Sequence, residues 1–390
     1  MAADPFIHLH LHTEYSLLDG AVRIKDLIGK AERCKMPAVA MTDHGNVFGA
    51  IDFYQAAKKS GVKPIIGCEA YLTPPGVRMT DRKTAIEEAA GANGNGAKRK
   101  KRNSHLTLLA ETNEGWANLV KLISKAHLEG MYYKPRIDKE CLAEHAKGLI
   151  GLSGCIAGEI NQLIQAGDID GARRGLGEFV DIFGRGNFYL EMHDHGLEAQ
   201  AQCNRQLVEF SREFDLPLVA ANDVHFLNRA DHEAHDVMIC IGTGAQLLDE
   251  NRMRYSPEVY FKTTAEMRTL FRDFPRAIQN TLVIADRCNV EIKLDAASSE
   301  KYPRFEAPDG SSREQFFRKV CFDGLVWRYG ERADSDPELR RRLDYEIGVM
   351  ETMGFVSYFL ITWDFVKWAK DNGVPVGPGR GSAAGSLVAY

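Results

Sequence analysis

The sequence predicts an α/β fold: a seven-stranded β/α barrel followed by a mainly helical segment. Three observations predict it. Seven short apolar runs alternate with longer stretches whose apolar residues fall at helical spacing. The residues best suited to chemistry lie at the carboxyl ends of those runs, where β/α barrels carry their active sites. The alternation stops near residue 285, and only helical patterns follow. A βα series implies a parallel sheet, and seven units favour closure over an open sheet.

The first run, FIHLHLH (6–12), sets His8, His10 and His12 at alternate positions, and a Leu-Leu-Asp-Gly turn with Asp19 follows. After the helical VRIKDLIGKAERC comes PAVAMTD (37–43), ending in Asp43 with His44 next; after GAIDFYQAAKKS comes KPIIGCEAYL (63–72), with Glu69. Residues 74–104 are rich in Gly, Asn, Lys and Arg, cannot build a core and read as a long surface connection. Within it, Lys98 to Arg102 either meet phosphate or form a solvated charge run. HLTLLAE (105–111) opens with His105, ahead of its apolar residues, so either that boundary lies elsewhere or the histidine is peripheral. The helical WANLVKLISKAHLEG leads to GLIGLSGC (148–155), ending in Cys155. IAGEINQLIQ and ARRGLGEFVDIF precede NFYLEMHD (187–194), with His193, and AQAQCNRQLVEFSREF precedes LPLVAANDVHF (216–226), with Asp223 and His225. These units make residues 1–285 one domain. Residues 286–390 make a second: a connector with Pro303 and Pro308, three helical segments, and VPVGPGRGSAAGSLVAY, where a helix is expected to begin at Ala383. Because the pattern stops partway through that helix, the chain is expected to be part of a longer protein.

At 390 residues, 44% hydrophobic and 26% charged, the chain has length for two or three domains. A net charge of -5 gives no whole-chain basic signature, so nucleic-acid contact would have to come from local patches. Eight cysteines occur singly, with no C-x-x-C pair, which argues against a disulfide framework and for a reducing compartment. No signal peptide and no apolar run of membrane-spanning length appear, so the expected location is cytoplasmic, with no membrane partner.

Each candidate residue has an ordinary explanation. Alternate histidines can line a polar strand face, Cys155 can be a small buried hydrophobe, Glu69 a solvated acid, and Asp19 a turn former before Gly20. Together they outnumber the three or four ligands a single ion needs, which points to more than one metal. Clustered divalent ions act on phosphate esters by activating water and neutralising the leaving oxygen.

The motifs H-L-H-T, S-L-L-D-G, T-D-H-G-N, G-C-E, H-L, S-G-C and N-D-V-H resemble those of the polymerase-and-histidinol-phosphatase (PHP) superfamily. The resemblance implies a distorted seven-stranded β/α barrel with up to three ions. It implies His10, His12, Asp19, His44, Glu69, His105, Cys155, Asp223 and His225 as ligands. Among them His12, Asp19, His44 and Asp223 stand as catalytic candidates, while His8, Asp43 and His193 are candidates for holding the ligands in place. Mixed N, O and S donors fit Zn2+, with Mn2+ or Mg2+ at oxygen-rich positions. Asp19 and Cys155 stand where stand-alone phosphatases of the family have His, which points to its polymerase-associated branch.

Residues 354–390, GFVSYFLITWDFVKWAKDNGVPVGPGRGSAAGSLVAY, resemble the start of the palm of the bacterial C-family replicative polymerases, the DNA polymerase III alpha subunits. Glycines at 377, 379 and 381 permit close backbone approach, Ser382 and Ser386 offer hydroxyls and Arg380 a fork, a set suited to phosphate. The resemblance implies nucleotide contact at Gly379, Arg380, Gly381 and Ser382. It also implies DNA (primer-template and single-stranded 3′ end), deoxynucleoside triphosphates with Mg2+, a sliding clamp and other replisome subunits as partners of the whole protein. The carboxylates that nucleotidyl transfer needs lie downstream in the family, and Asp334-Ser335-Asp336 before Pro337 reads as a helix cap. The expected activity of the barrel is metal-dependent 3′–5′ exonuclease or phosphodiesterase chemistry. The alternative is a non-catalytic, metal-stabilised platform that docks a separate proofreading exonuclease. The polymerase-like tail argues against a free-standing small-molecule phosphatase.

Overall fold

The computed structural model describes residues 5–81, 103–294, 303–377, 379 and 381–390; Lys98 to Arg102 and Arg380 lie outside the described residues. The chain divides into two compact units, residues 1–292 and 293–390.

The first unit is built on strands β1 (Ala38–Met41), β2 (Lys63–Leu72), β3 (Ser104–Ala110), β4 (Met131–Tyr132), β5 (Lys134–Ile137), β6 (Leu149–Leu152), β7 (Phe188–Met192) and β8 (Leu218–Ala220). The sheet runs β1-β2-β3-β6-β7-β8, with the β4–β5 hairpin joined to β2 through β5. The sheet is mixed, not parallel as expected. β3 runs antiparallel to both β2 and β6, while the β1–β2, β6–β7 and β7–β8 pairs are parallel. A period-2 pattern reads the same in either direction, so residues 105–111 carry no signal of which way their strand runs.

FIHLHLH forms no regular strand. It runs extended, bends at His10 and bridges the two ends of the curled sheet. The Ala40 and Thr42 amides donate to the His8 and Leu11 carbonyls (2.8 and 2.9 Å). On its other side the His12 amide donates to Val224 O and the Val224 amide to His10 O (2.8 and 3.2 Å). With this segment the half-barrel counts seven strand-like members in sequence around the curl.

Alternation along the strands sorts side chains into layers. Ile65, Leu109, Ile150, Leu152, Tyr189 and Val219 join one buried apolar cluster with Ile7 and Leu9. Two and four residues further along the same faces stand Glu69, Thr107, His105, Glu191 and His193. The antiparallel course of β3 places His105, at its amino end, opposite Tyr71 near the carboxyl end of β2.

Helices α1 (Ile24–Arg33), α2 (Ala50–Lys59), α3 (Asn113–Leu128), α4 (Lys139–His145), α5 (Glu159–Gln165), α6 (Ile169–Phe183) and α7 (Glu198–Phe214) pack outside the sheet. α3, α4 and α6 start where Thr112, Asp138 and Asp168 accept an amide from the first turn. α8 (His232–Thr243), α9 (Thr264–Leu270) and α10 (Pro275–Arg287) follow β8. α10 packs into the first unit: Ile284 and Ala285 join the inner cluster and Lys63 Nζ donates to Ala285 O (2.6 Å). Position 285 therefore lies inside a helix of that unit, which continues to Ile292.

The second unit holds α11 (Arg313–Tyr329), the single turn α12 (Arg332–Ser335), α13 (Pro337–Thr352) and α14 (Val356–Asp371) around Phe316, Phe317, Leu325, Leu343, Ile347 and Leu360. Asp336 caps α13 by accepting the Glu338 amide, in line with the cap reading of Asp334-Ser335-Asp336. The helix expected at Ala383 is only a 3-10 turn, Ser382–Gly385. Beyond the turn Glu346 accepts the Val388 amide (3.1 Å), a backbone donor that a continuing helix would use, and the Ser386 hydroxyl (2.8 Å). Among the described residues, no helix is long and apolar enough to cross a membrane.

Candidate metal centre

Nine side chains from separate strand ends and turns converge on the rim of the half-barrel. Glu69 is at the hub: its carboxylate lies 3.2 Å from His10 Nε2, 3.6 Å from His12 Nε2, 2.6 Å from His44 Nδ1, 2.9 Å from His105 Nδ1 and 3.5 Å from Cys155 Sγ. Asp223 approaches His10 and His12 Nε2 at 3.3 and 3.2 Å and His225 Nδ1 at 3.7 Å. Asp19 stands 3.3 Å from His44 Nε2. The His12 ring lies between those of His44 and His225, at 4.1 and 4.3 Å.

Three of the histidines are oriented from behind in the same way. His10 Nδ1 bonds Glu191 Oε1 (2.6 Å), His12 Nδ1 bonds Ser16 Oγ (3.0 Å) and His225 Nδ1 bonds its neighbour's carbonyl, Asp223 O (2.8 Å). A donor bond at Nδ1 selects the tautomer whose Nε2 is a free lone pair, the state a metal requires. Those three Nε2 atoms make no well-formed hydrogen bond, nor do Asp19 Oδ1, His44 Nδ1, Glu69 Oε2 and Asp223 Oδ1, although most of them crowd within 2.6–3.6 Å of one another. Buried polar atoms are nearly always paired. Seven such atoms gathered in one cluster of His, Asp and Glu side chains suit metal ligands better than hydrogen-bonding partners, so these residues fit a metal cluster.

Asp223 has φ 45°, a left-handed backbone that Asp tolerates better than most residues. Asp43 does not join the cluster. It accepts the Thr13 amide (2.6 Å) and the Thr13 and Ser16 hydroxyls (each 2.7 Å), and so sets the turn whose Ser16 orients His12. His193 bonds Glu191 at 2.9 Å. His8 departs from the other two histidines: the chain bends at His10, and the His8 ring lies against Phe6 and Phe261 with Nε2 on Lys262 O at 2.8 Å.

Sequence reasoning missed two residues. Glu191, fully buried, accepts His10, His193, the Thr107 hydroxyl and the Gly154 amide. The signal was present: an acid inside the apolar run FYLEM, two residues before a histidine. Tyr255 donates to Asp19 Oδ2 (2.9 Å) and packs on His225, from a stretch with no usable periodicity.

Burial opposes every charge in the cluster, and the outcome depends on the neighbours. Desolvation works against a charged His10, yet Glu191, Asp223 and Glu69 raise its pKa well above the ordinary value. His44, likewise buried, is raised to about 10 by Glu69 and Asp19. His12, buried and beside His44 and His225, falls to about 3. Glu69 and Asp223, despite burial, are held well below the carboxylate range by the surrounding histidines. Burial, then Glu69, push the Cys155 thiol well up. No Lys or Arg joins the cluster among the described residues, so three clustered carboxylates would repel a phosphate unless cations intervene.

In the second unit, Gly379 and Gly381 have φ of 78° and 96°, as a tight turn requires, and Ser382 begins the 3-10 turn. Nothing described there gathers ligand-like side chains.

Residues 8–195 match the PHP domain family, and residues 315–390 match the bacterial DNA polymerase III alpha NTPase domain. The chain is 44% identical over 387 residues to DNA polymerase III subunit alpha of Borreliella burgdorferi, a match covering 99% of this chain and 32% of that protein. It is 41% identical over 392 residues to that of Treponema pallidum, covering 100% and 32%. The chain thus spans about a third of the length of the curated relatives it matches. Among solved structures, a protein assigned as a metal-dependent phosphoesterase from Bifidobacterium adolescentis matches at TM-score 0.30 and 14% identity, over 57% of this chain and 89% of that one.

Proposed function

This chain carries a PHP domain and a segment of the bacterial DNA polymerase III alpha NTPase domain, in the order of the alpha subunits it matches along its length, and on that premise we propose that its first unit is a metal-dependent phosphodiesterase. Its substrate is the 3′ end of single-stranded DNA, and its action is that of a 3′–5′ exonuclease. The observation that carries the reading is the crowding of buried donor atoms, none in a well-formed hydrogen bond, on His10, His12, His44, His225, Asp19, Glu69 and Asp223.

His44, Glu69, His105 and Cys155 complete the set that would hold up to three ions, with Zn2+ suited to the donors and Mn2+ or Mg2+ to the oxygen-rich positions. Bound divalent ions supply Lewis acidity and a nucleophile at neutral pH. The chain's own side chains do the positioning. Glu191 and Ser16 hold two imidazoles with Nε2 inward, and Tyr255 fixes the Asp19 oxygen that faces His44. The accessible part of the cluster lies at His44, His105 and Asp223, whose side chains are 13%, 21% and 14% exposed, and there a phosphate enters.

For the whole protein the proposal is templated DNA synthesis, with deoxynucleoside triphosphates, Mg2+, a sliding clamp and other replisome subunits as partners. In it Gly379, Arg380, Gly381 and Ser382 contact the incoming nucleotide. The competing role for the first unit, a metal-stabilised platform for a separate exonuclease, uses the same donors for stability alone. Replacing His10 and His12 by Ala separates the two. Hydrolysis predicts that chelator-sensitive digestion of a single-stranded oligonucleotide from its 3′ end is present in the parent chain and lost with the metal. A parent chain that holds metal but digests nothing refutes hydrolysis and leaves the platform.

A further inference from the structure

Beside the accessible flank of the cluster stands a group of side chains that the ligand set does not use. Tyr71 packs against His44 and His105, ring centroids 5.8 and 5.2 Å away, and Lys134 Nζ sits 5.2 Å over the Tyr71 ring. Lys134 belongs to the β4–β5 hairpin, whose turn presents Tyr133 with 85% of its surface exposed. The hairpin is seated on the His44 loop. A Cβ on Gly45 would lie 2.7 Å from Pro135 Cγ and 3.2 Å from the Tyr71 ring, so only glycine lets the two approach so closely. The same loop presents Phe48, 61% exposed, next to His127, which itself bonds Gly45 O at 3.0 Å.

A single exposed aromatic needs no explanation. Here two of them and a cation come from the two segments that meet at Gly45 and Pro135, beside a site read as phosphodiester-cleaving. Tyr133, moreover, occupies the left-handed region at φ 59°, where Gly or Asn would be at ease and a ring is strained. The tight turn between the paired Tyr132 and Lys134 calls for that conformation, and placing a bulky ring there holds it out from the hairpin tip.

We propose that Tyr133, Phe48 and Lys134 form a strand-gripping lip that takes single-stranded nucleic acid, bases stacking on the two rings and Lys134 meeting a backbone phosphate. The proposal rests on the exonuclease reading and deepens it: the strand end would pass this lip to reach His44 and His105. Stacking platforms with a cation track single strands without sequence preference, so the ligand class is any unpaired strand, not a particular sequence.

The test is fluorescence anisotropy of a nuclease-resistant, labelled oligothymidylate with the whole metal-loaded chain, comparing Tyr133→Gly, Phe48→Ala and Lys134→Gln. Removing each ring weakens binding roughly tenfold, and the lysine change lowers the logarithmic salt slope by about 0.7. Tyr133→Gly also raises Tm, because it relieves the left-handed strain, so stability and binding move in opposite directions. Metal content measured on each variant shows that the cluster is intact. Wild-type affinity in the Tyr133→Gly, Phe48→Ala double variant overturns the proposal. So does a parent chain that binds no oligonucleotide, which would make the lip a protein-docking face. Binding needs no cleavage, so a failed exonuclease assay and a failed lip are told apart.

Discussion

Replacing Glu191 by Gln tests whether the cluster is held in place from behind. The carboxylate is fully buried, and its bonds divide by oxygen. Oε1 takes His10 Nδ1 (2.6 Å) and His193 Nε2 (2.9 Å), while Oε2 takes the Thr107 hydroxyl and the Gly154 amide (each 3.1 Å). Burial alone would keep such a group neutral, but His10 and His193 hold it at about 2 and therefore charged. An amide has the same shape but a single acceptor oxygen. If that oxygen faces the histidines, the Gly154 N–H meets an NH2 group; if it faces Gly154, His10 loses the acceptor that fixes its tautomer. One buried donor is orphaned either way, and the charge-assisted bonds become neutral ones, a loss of about 1.5–3 kcal/mol in stability. Groups that orient a metal-bound imidazole typically change metal affinity by roughly 10–100-fold, or about 1.4–2.8 kcal/mol. Urea unfolding of the chelator-treated chain reads the first quantity, and competition with a chromogenic chelator for Zn2+ reads the second. Lower stability with unchanged Zn2+ affinity would refute the orienting role, and no change in either would refute the geometry.

Gly20→Ala should disturb the turn that carries Asp19, since the added Cβ would lie 1.9 Å from Thr13 O and 2.8 Å from Ser16 Cβ. A loss of at least about 1–3 kcal/mol and of bound metal is expected, read by Tm and elemental analysis, while Gly186→Ala, with nothing within 4 Å, should do neither. The metal-free chain should be most stable near about pH 6.5, because His12, held neutral with its pKa down at about 3, costs stability as pH falls below that point. Glu69 and Asp223 have depressed folded pKa values, so their contribution is present above about pH 4–5 and lost as pH falls further. His44, raised to about 10, contributes fully below about pH 6.5 and progressively less toward pH 10. Urea midpoints from acid to alkaline pH check both limbs, and a flat profile would contradict the charged network. In the second unit, Glu346→Gln weakens the bonds to Arg342, Ser386 and the Val388 amide; faster amide exchange at Val388 is the expected result, and unchanged exchange the contrary one.

Much of this was legible in the sequence because strand-end chemistry is written locally. His10, His12, His44, Glu69, Cys155, Asp223 and His225 each sit in the carboxyl half of an apolar run or just past it, and a run predicts where its end points. Direction is not written in the same way. The place of His105 at the head of its run signalled neither a wrong boundary nor a peripheral residue, but a strand running against its neighbours. The β4–β5 hairpin went unread because Pro135 and the left-handed Tyr133 break the strand pattern of MYYKPRI. Helices α8 to α10 lie where no βα alternation remained to frame them. His8 looked equivalent to His10 by spacing, and only the bend at His10 separates them. Glu191 and Tyr255 act through partners 181 and 236 residues away, distances at which local pattern carries no information.

The central claim is that the converged residues hold divalent ions for phosphodiester cleavage. Elemental analysis of the purified chain, run alongside digestion of a single-stranded oligonucleotide with and without chelator, tests it most directly. The account predicts more than one ion per chain and cleavage from the 3′ end that stops when chelator removes them. A chain that folds and carries no metal, even after incubation with Zn2+ or Mn2+, would contradict it.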